Sequence, residues 1–121
     1  MKAVFDTNIL VDYLNGLEQA ADELGRFGQR LISQITWMEV LVGCRGEEEE
    51  RLVGEFLAGF SVAPIGHEIA EAAVVLRRDN GLKLPDAIIL GTAESQHALL
   101  VTRDTKAFSA SSPGIRVPYQ L

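Results

Sequence analysis

Two apolar segments near opposite ends of the chain each break off on an aspartate, and this repeated pattern confines the fold more than any other feature. Lys2-Ala3-Val4-Phe5 is followed by Asp6-Thr7-Asn8, and Ala98-Leu99-Leu100-Val101-Thr102 by Arg103-Asp104. The first run is continuously apolar rather than alternating, as in strands covered on both faces. Such strands belong to parallel sheets flanked by helices. There, equivalent strand ends share one edge, and groups just beyond the carboxyl ends sit where open α/β sheets bind ligands.

The intervening chain alternates in the manner such a sheet requires. Ile9-Leu10-Val11 continues into a helix entered from Thr7 or Asn8 as cap, with Asp12 and Asn15 as its polar positions. A surface helix over 18–27, stopped by Gly25 and Gly28, precedes a strand at Arg30-Leu31-Ile32-Ser33. Gln34-Ile35-Thr36 leads into a helix through Val42, ended near Gly43 to Gly46. Glu47 to Glu50 form the acidic first turn of a further helix, where carboxylates suit the dipole. Its apolar face, Leu52, Val53, Phe56, Leu57 and Phe60, suits a core or a subunit interface equally. Ser61 to Ile65 reads as a strand placed at an edge by Pro64, and a long helix runs from His67 to a stop at Asn80-Gly81. Pro85 opens the next helix, and Ile115-Arg116-Val117 adds a last edge strand. The prediction is α/β: a three-layer α/β/α sandwich with a mostly parallel sheet, forming a single domain over residues 1–121.

Composition narrows the setting. No apolar run approaches the roughly 20 residues of a membrane span, and no signal-like leader precedes Asp6, so a cytoplasmic protein without membrane attachment is expected. Cys44 is the sole cysteine, which excludes an intrachain disulfide and a cysteine zinc cluster and reads as a buried, inert thiol. A net charge of −6 runs against a polyanionic partner. Four carboxylates gathered in one site would account for most of that charge, and bound cations would offset it.

The four are Asp6, Glu39, Asp86 and Asp104. Glu39 has Ile35, Thr36, Val42 and Gly43 one turn away, a face that reads as turned inward, where a carboxylate needs a partner or a metal. Asp86 falls in the first turn of its helix, which is explained by the dipole unless its companions are near. Together the four would repel one another in a bare pocket. Mg²⁺ or Mn²⁺, which favours oxygen ligands and phosphate substrates, resolves the conflict, with Thr7 and Asn8 able to orient metal-bound waters. His67 and His97 fit no metal or triad spacing and read as surface or cap residues. Trp37 reads as core.

Four blocks, VFDTNILVDYL, ISQITWMEVLVG, KLPDAIILGTA and LVTRDTKAF, span the chain in order. In this they resemble the PIN-domain ribonucleases, and specifically the VapC toxins of toxin/antitoxin pairs. The resemblance implies that Asp6, Glu39, Asp86 and Asp104 are the catalytic and metal-binding quartet, supported by Thr7, Asn8 and Thr102. It implies Mg²⁺- or Mn²⁺-dependent hydrolysis of single-stranded or loop RNA to 5′-phosphate and 3′-hydroxyl ends, a homodimer, and inhibition by a cognate antitoxin lying across the acidic pocket. Arg77, Arg78, Lys83, Arg103 and Lys106 lie near these blocks and are candidates for phosphate contact. A receiver domain would need adjacent acids after the first strand and an aspartate after the third, both missing here. A phosphatase with an aspartate nucleophile would carry a second carboxylate where Asn8 stands. A PIN-like module that binds RNA or protein without cutting remains the alternative.

Overall fold

The computed structural model describes residues 1–121. Its elements are β1 (Lys2–Phe5), α1 (Thr7–Leu14), α2 (Glu18–Gly25), β2 (Gln29–Ser33), α3 (Gln34–Val42), α4 (Glu47–Leu57), β3 (Ser61–Ala63), α5 (His67–Asn80), α6 (Leu84–Ser95), β4 (Leu99–Val101) and β5 (Ile115–Arg116). Five strands form one sheet in the order β3-β2-β1-β4-β5. Every pairing is parallel, with Phe5 opposite Val101 and Val4 opposite Leu31. The chain builds outward from β1 in one direction through β2 and β3, then returns to add β4 and β5 on the other side. The order therefore reverses between β1 and β4, and a crevice opens at their carboxyl ends.

Alternate residues of the central strands serve two cores, which is why their sequences are apolar without a break. Ala3, Phe5, Ile32 and Val101 face a core completed by Ile9 and Leu10 of α1, Leu24 of α2 and Leu57 of α4. Val4 and Leu100 face the other core, with Ala73 of α5 and Ala87 and Ile89 of α6. This is the three-layer α/β/α arrangement. The phenylalanines of α4 and of the turn after it pack on their own chain: Phe60 lies edge-on against Phe5 at 6.2 Å, and Phe56 stacks on Tyr13 at 4.7 Å. Gly81 ends α5 at φ 69°, a left-handed cap that a residue with a side chain enters only at a cost.

Three local expectations need correction. The cap of α1 is Asp6, whose carboxylate accepts from the Thr7 amide, so Thr7 is already helical. Trp37 is 41% exposed and Met38 is 40% exposed, because α3 is apolar on nearly all sides and buries only Thr36 and Val40. A helix patterned in that way gives no periodic signal for its inner face. Cys44 is half-buried rather than buried, with its sulfur against the Val40 carbonyl.

The close approach of α5 and α6 gives a direct check on packing. A Cβ built on Gly91 would lie 3.5 Å from the Ala72 Cβ and 3.6 Å from the Ile69 carbonyl oxygen, which is ordinary contact. Gly91→Ala should therefore leave stability unchanged or raise it by up to about 1 kcal/mol through helix propensity. Gly91→Leu should lower it by about 1–3 kcal/mol by forcing the helices apart. Thermal denaturation of the two variants measures both.

Candidate active site

The crevice at the sheet reversal is floored by Asp6. Its amide donates to the Val101 carbonyl at 2.9 Å, which carries the β1–β4 pairing one residue past the strand. Its carboxylate accepts from the Thr7 amide at 2.8 Å, the Asn8 side-chain amide at 3.2 Å and the Thr102 hydroxyl at 2.7 Å. Asp6 and Thr102 are both buried. These three bonds favour the charged form, yet burial outweighs them. Aided by repulsion from Asp86 and Asp104, it raises the Asp6 pKa from 3.8 to about 6.

Thr102 also ties the second aspartate to the first. Its hydroxyl oxygen accepts from the Asp104 amide at 3.0 Å while its proton is given to Asp6. Asp104 then folds its own loop, with its carboxylate accepting from the amides of Lys106 at 3.2 Å and Ala107 at 3.1 Å. Asp86 arrives from a different direction. A helix that leads into a parallel strand starts at the sheet's carboxyl edge, so the first turn of α6, with Pro85 in it, delivers Asp86 to the crevice. Burial, then repulsion from Asp104 and Glu39, raises its pKa, against the pull of Lys83.

Glu39 joins by another route than its sequence suggested. It is exposed, not inward-facing, because the side of α3 that carries it borders the open crevice and Val42 beyond it is also exposed. It is fixed by the Thr7 hydroxyl, which donates to Glu39 Oε1 at 2.7 Å. The buried Thr36 hydroxyl lies 3.0 Å from that of Thr7. The one Thr7 proton can go to Thr36 or to the carboxylate, and the charged acceptor makes the stronger bond. The sequence pattern did not single out Thr36; a threonine in an apolar helix has no signal until its neighbour across the crevice is known.

A model described as the PIN domain matches residues 3–111. The chain belongs to the PIN-domain family. No curated protein sequence gives a significant match. Among solved structures, a chain of a toxin–antitoxin complex from Klebsiella pneumoniae is 44% identical, with a TM-score of 0.93 over 99% of this chain and 100% of that one. VapBC2 from Rickettsia felis, bound to a promoter DNA fragment, is 21% identical, with a TM-score of 0.77 over 99% and 98%. DNA-bound VapBC from Salmonella typhimurium is 23% identical, with a TM-score of 0.75 over 99% and 98%. The two lower identities speak for the fold alone.

In this PIN domain the five basic candidates separate. Lys83 and Lys106 line a cavity of about 320 Å³ together with Asp86, Asp104, Asn80 and Gly81. Arg77 and Arg78 do not line it, and the Arg77 guanidinium braces the turn after α5 by donating to the Leu82 carbonyl at 2.8 Å. Arg103 holds Asp12 with its guanidinium, at 2.7 and 2.8 Å, while its side chain stays 32% exposed and lines an open hollow with Asn8, Asp104 and Lys106. His67 is exposed at the start of α5 beside Glu71, and His97 lies in the exposed turn after α6. No helix is long and apolar enough to cross a membrane.

The donor set suits a hard divalent cation. All four acids offer oxygen, and the raised pKa values of Asp6 and Asp86 report negative charge crowded into partly desolvated space. No three of them converge on one point. Mg²⁺ is compatible with that spacing, since it retains several waters and takes one or two carboxylates directly.

The shift on Asp6 sets a pH test on the metal-free protein. Its folded-state pKa lies above the unfolded value, so ionising it costs stability as pH rises from 3.8 to about 6. Two pKa units correspond to a penalty on the order of 2–3 kcal/mol at pH 7. Asp6→Asn, which can still cap α1, should raise the thermal midpoint relative to wild type more at pH 7 than at pH 4. Parallel melts at the two pH values read the difference.

Proposed function

We propose that this PIN domain is a VapC-type toxin, a Mg²⁺- or Mn²⁺-dependent endoribonuclease acting on RNA in the cytoplasm, inhibited by a cognate antitoxin and working as a homodimer. The observation that carries the reading is the mutual repulsion of Asp6, Asp86 and Asp104 at the sheet reversal, with Glu39 tethered to the same corner by Thr7. Acids scattered over the sequence from residue 6 to residue 104 meet at the one edge where this topology leaves a crevice. The 44% identity to a chain of a toxin–antitoxin complex supports the toxin assignment.

In the proposed reaction Asp6, Glu39, Asp86 and Asp104 would hold the metal, one or two of them directly and the others through its waters. When bound, the metal supplies Lewis acidity toward a phosphodiester and lowers the pKa of a coordinated water. Thr102 favours the ionised form of Asp6 and aims it into the crevice, and Thr7 orients Glu39, so neither carboxylate must reorient when substrate arrives. Lys83 and Lys106, on the rim of the cavity beside Asp86 and Asp104, meet backbone phosphates and offset the repulsion an RNA strand meets on a protein of charge −6. Asn8 fixes the loop after β4 by accepting from the Arg103 amide at 3.2 Å. The acids need no covalent link to substrate, because water is the nucleophile.

Cleavage of RNA by wild type with Mg²⁺ or Mn²⁺, abolished by EDTA and reduced to background by Asp6→Asn, is the expected result. Cleavage that survives EDTA, or is equal in the two proteins, would overturn the mechanism. RNA binding without cleavage under all conditions would favour the non-catalytic module. A second measurement addresses the rim: Lys106→Ala should weaken RNA binding across sequences and reduce the slope of log affinity against log salt by about 1.

A further inference from the structure

A second polar cluster lies directly behind the acids and is not accounted for by the quartet. Asp12, on α1, is buried in the core-facing side of that helix. Its Oδ2 accepts from the Arg103 Nε at 2.7 Å and from the Tyr119 hydroxyl at 2.8 Å, and its Oδ1 accepts from the Arg103 Nη2 at 2.8 Å. Burial pushes the Asp12 carboxyl up, but the bonds from Arg103 and Tyr119 more than reverse this and leave it below its usual range. Tyr119 is itself 9% exposed and belongs to the core on that face of the sheet. Through it the C-terminal tail is fastened to α1.

What makes the cluster more than a buried ion pair is the position of Arg103. It stands between Thr102, which donates to Asp6, and Asp104. It is gripped twice by α1: Asn8 accepts from its backbone amide at 3.2 Å, and Asp12, one turn further along the same helix face, takes its guanidinium. A bidentate arginine–carboxylate pair fixes orientation as well as distance. The same helix carries Asp6 at its cap. Residues 8 and 12 of α1 thus hold the segment 102–104 at a set distance and angle from the carboxylate at the helix start. We propose that Asp12, Arg103 and Tyr119 are positioning residues that set the Asp6–Asp104 spacing, so that the C-terminal tail controls the geometry of the metal site. This rests on the metal-dependent reading given above.

The protein contains its own control. Arg116 on β5 forms the same kind of pair with buried Glu23 of α2, at 2.5 and 3.0 Å, and neither side chain touches an acid of the site. Full-length wild type, Asp6→Asn, Arg103→Lys, Tyr119→Phe and Arg116→Lys should be compared by Mn²⁺ titration without RNA and by amide hydrogen exchange of the metal-free proteins. Arg103→Lys, which keeps the charge but loses the fork, should weaken Mn²⁺ binding about 10-fold. It should also speed exchange at Lys106 and Ala107, whose amides bond Asp104. Tyr119→Phe, which removes only a hydroxyl and carries the test if Arg103→Lys does not fold, should shift both readouts in the same direction. Arg116→Lys should lower the thermal midpoint while leaving both at wild-type values. Wild-type Mn²⁺ affinity and exchange in both Arg103→Lys and Tyr119→Phe, with binding lost in Asp6→Asn, would overturn the positioning role and leave the metal site standing. Equal Mn²⁺ affinity in wild type and Asp6→Asn would overturn both.

Discussion

The burial of one charge organises this molecule. Asp6 ends the central strand, caps the first helix and stands at the reversal of strand order, with only 4% of its surface exposed. A carboxylate so placed is costly unless something compensates, and three hydrogen bonds do so only in part, since its pKa still rises to about 6. The remaining cost is the chemical opportunity. A site whose charge is under-compensated in the protein alone has free energy to gain from a cation, and stability given up at such a position is a common feature of functional sites.

Around that charge the supporting groups fall into layers. Thr102 and Asn8 touch Asp6 directly, Thr7 transfers the influence of Thr36 to Glu39, and the Asp12–Arg103–Tyr119 cluster holds the loop on which Asp104 is carried. α1 is common to all of them. Its first six residues present Thr7, Asn8 and then, one turn on, Asp12, while Ile9 and Leu10 anchor the helix in the core. A rigid, core-anchored helix is a better frame for a site than the loops that meet it.

Parts of this could be read directly from the residues. Strands that break on Asp6 and on Asp104 declare a common edge, because an apolar run can be buried on two faces only in the middle of a parallel sheet. Asp86 is announced by the proline before it. Glu39 reads as inward-facing and is exposed: α3 is apolar almost all round, so periodicity could not choose its face, and Trp37 was misplaced inward with it. The pairing of Arg103 with Asp12 could not be read at all, because sequence displays a charge and not its partner.

The sequence by itself determined the layer architecture, the two strand ends that bear aspartates and the helix starts that flank them, since each follows from local pattern over a few residues. Only the tertiary structure decided which charges are free. Arg103 and Asp12 lie 91 positions apart and Tyr119 and Asp12 lie 107 apart, so no local pattern joins them. Lys83 and Lys106 share a cavity with two acids only because α6 and the loop after β4 meet at the same edge of the sheet. Hydrogen bonds and desolvation act across space at a range of a few ångströms, and it is the fold that converts sequence distance into that range.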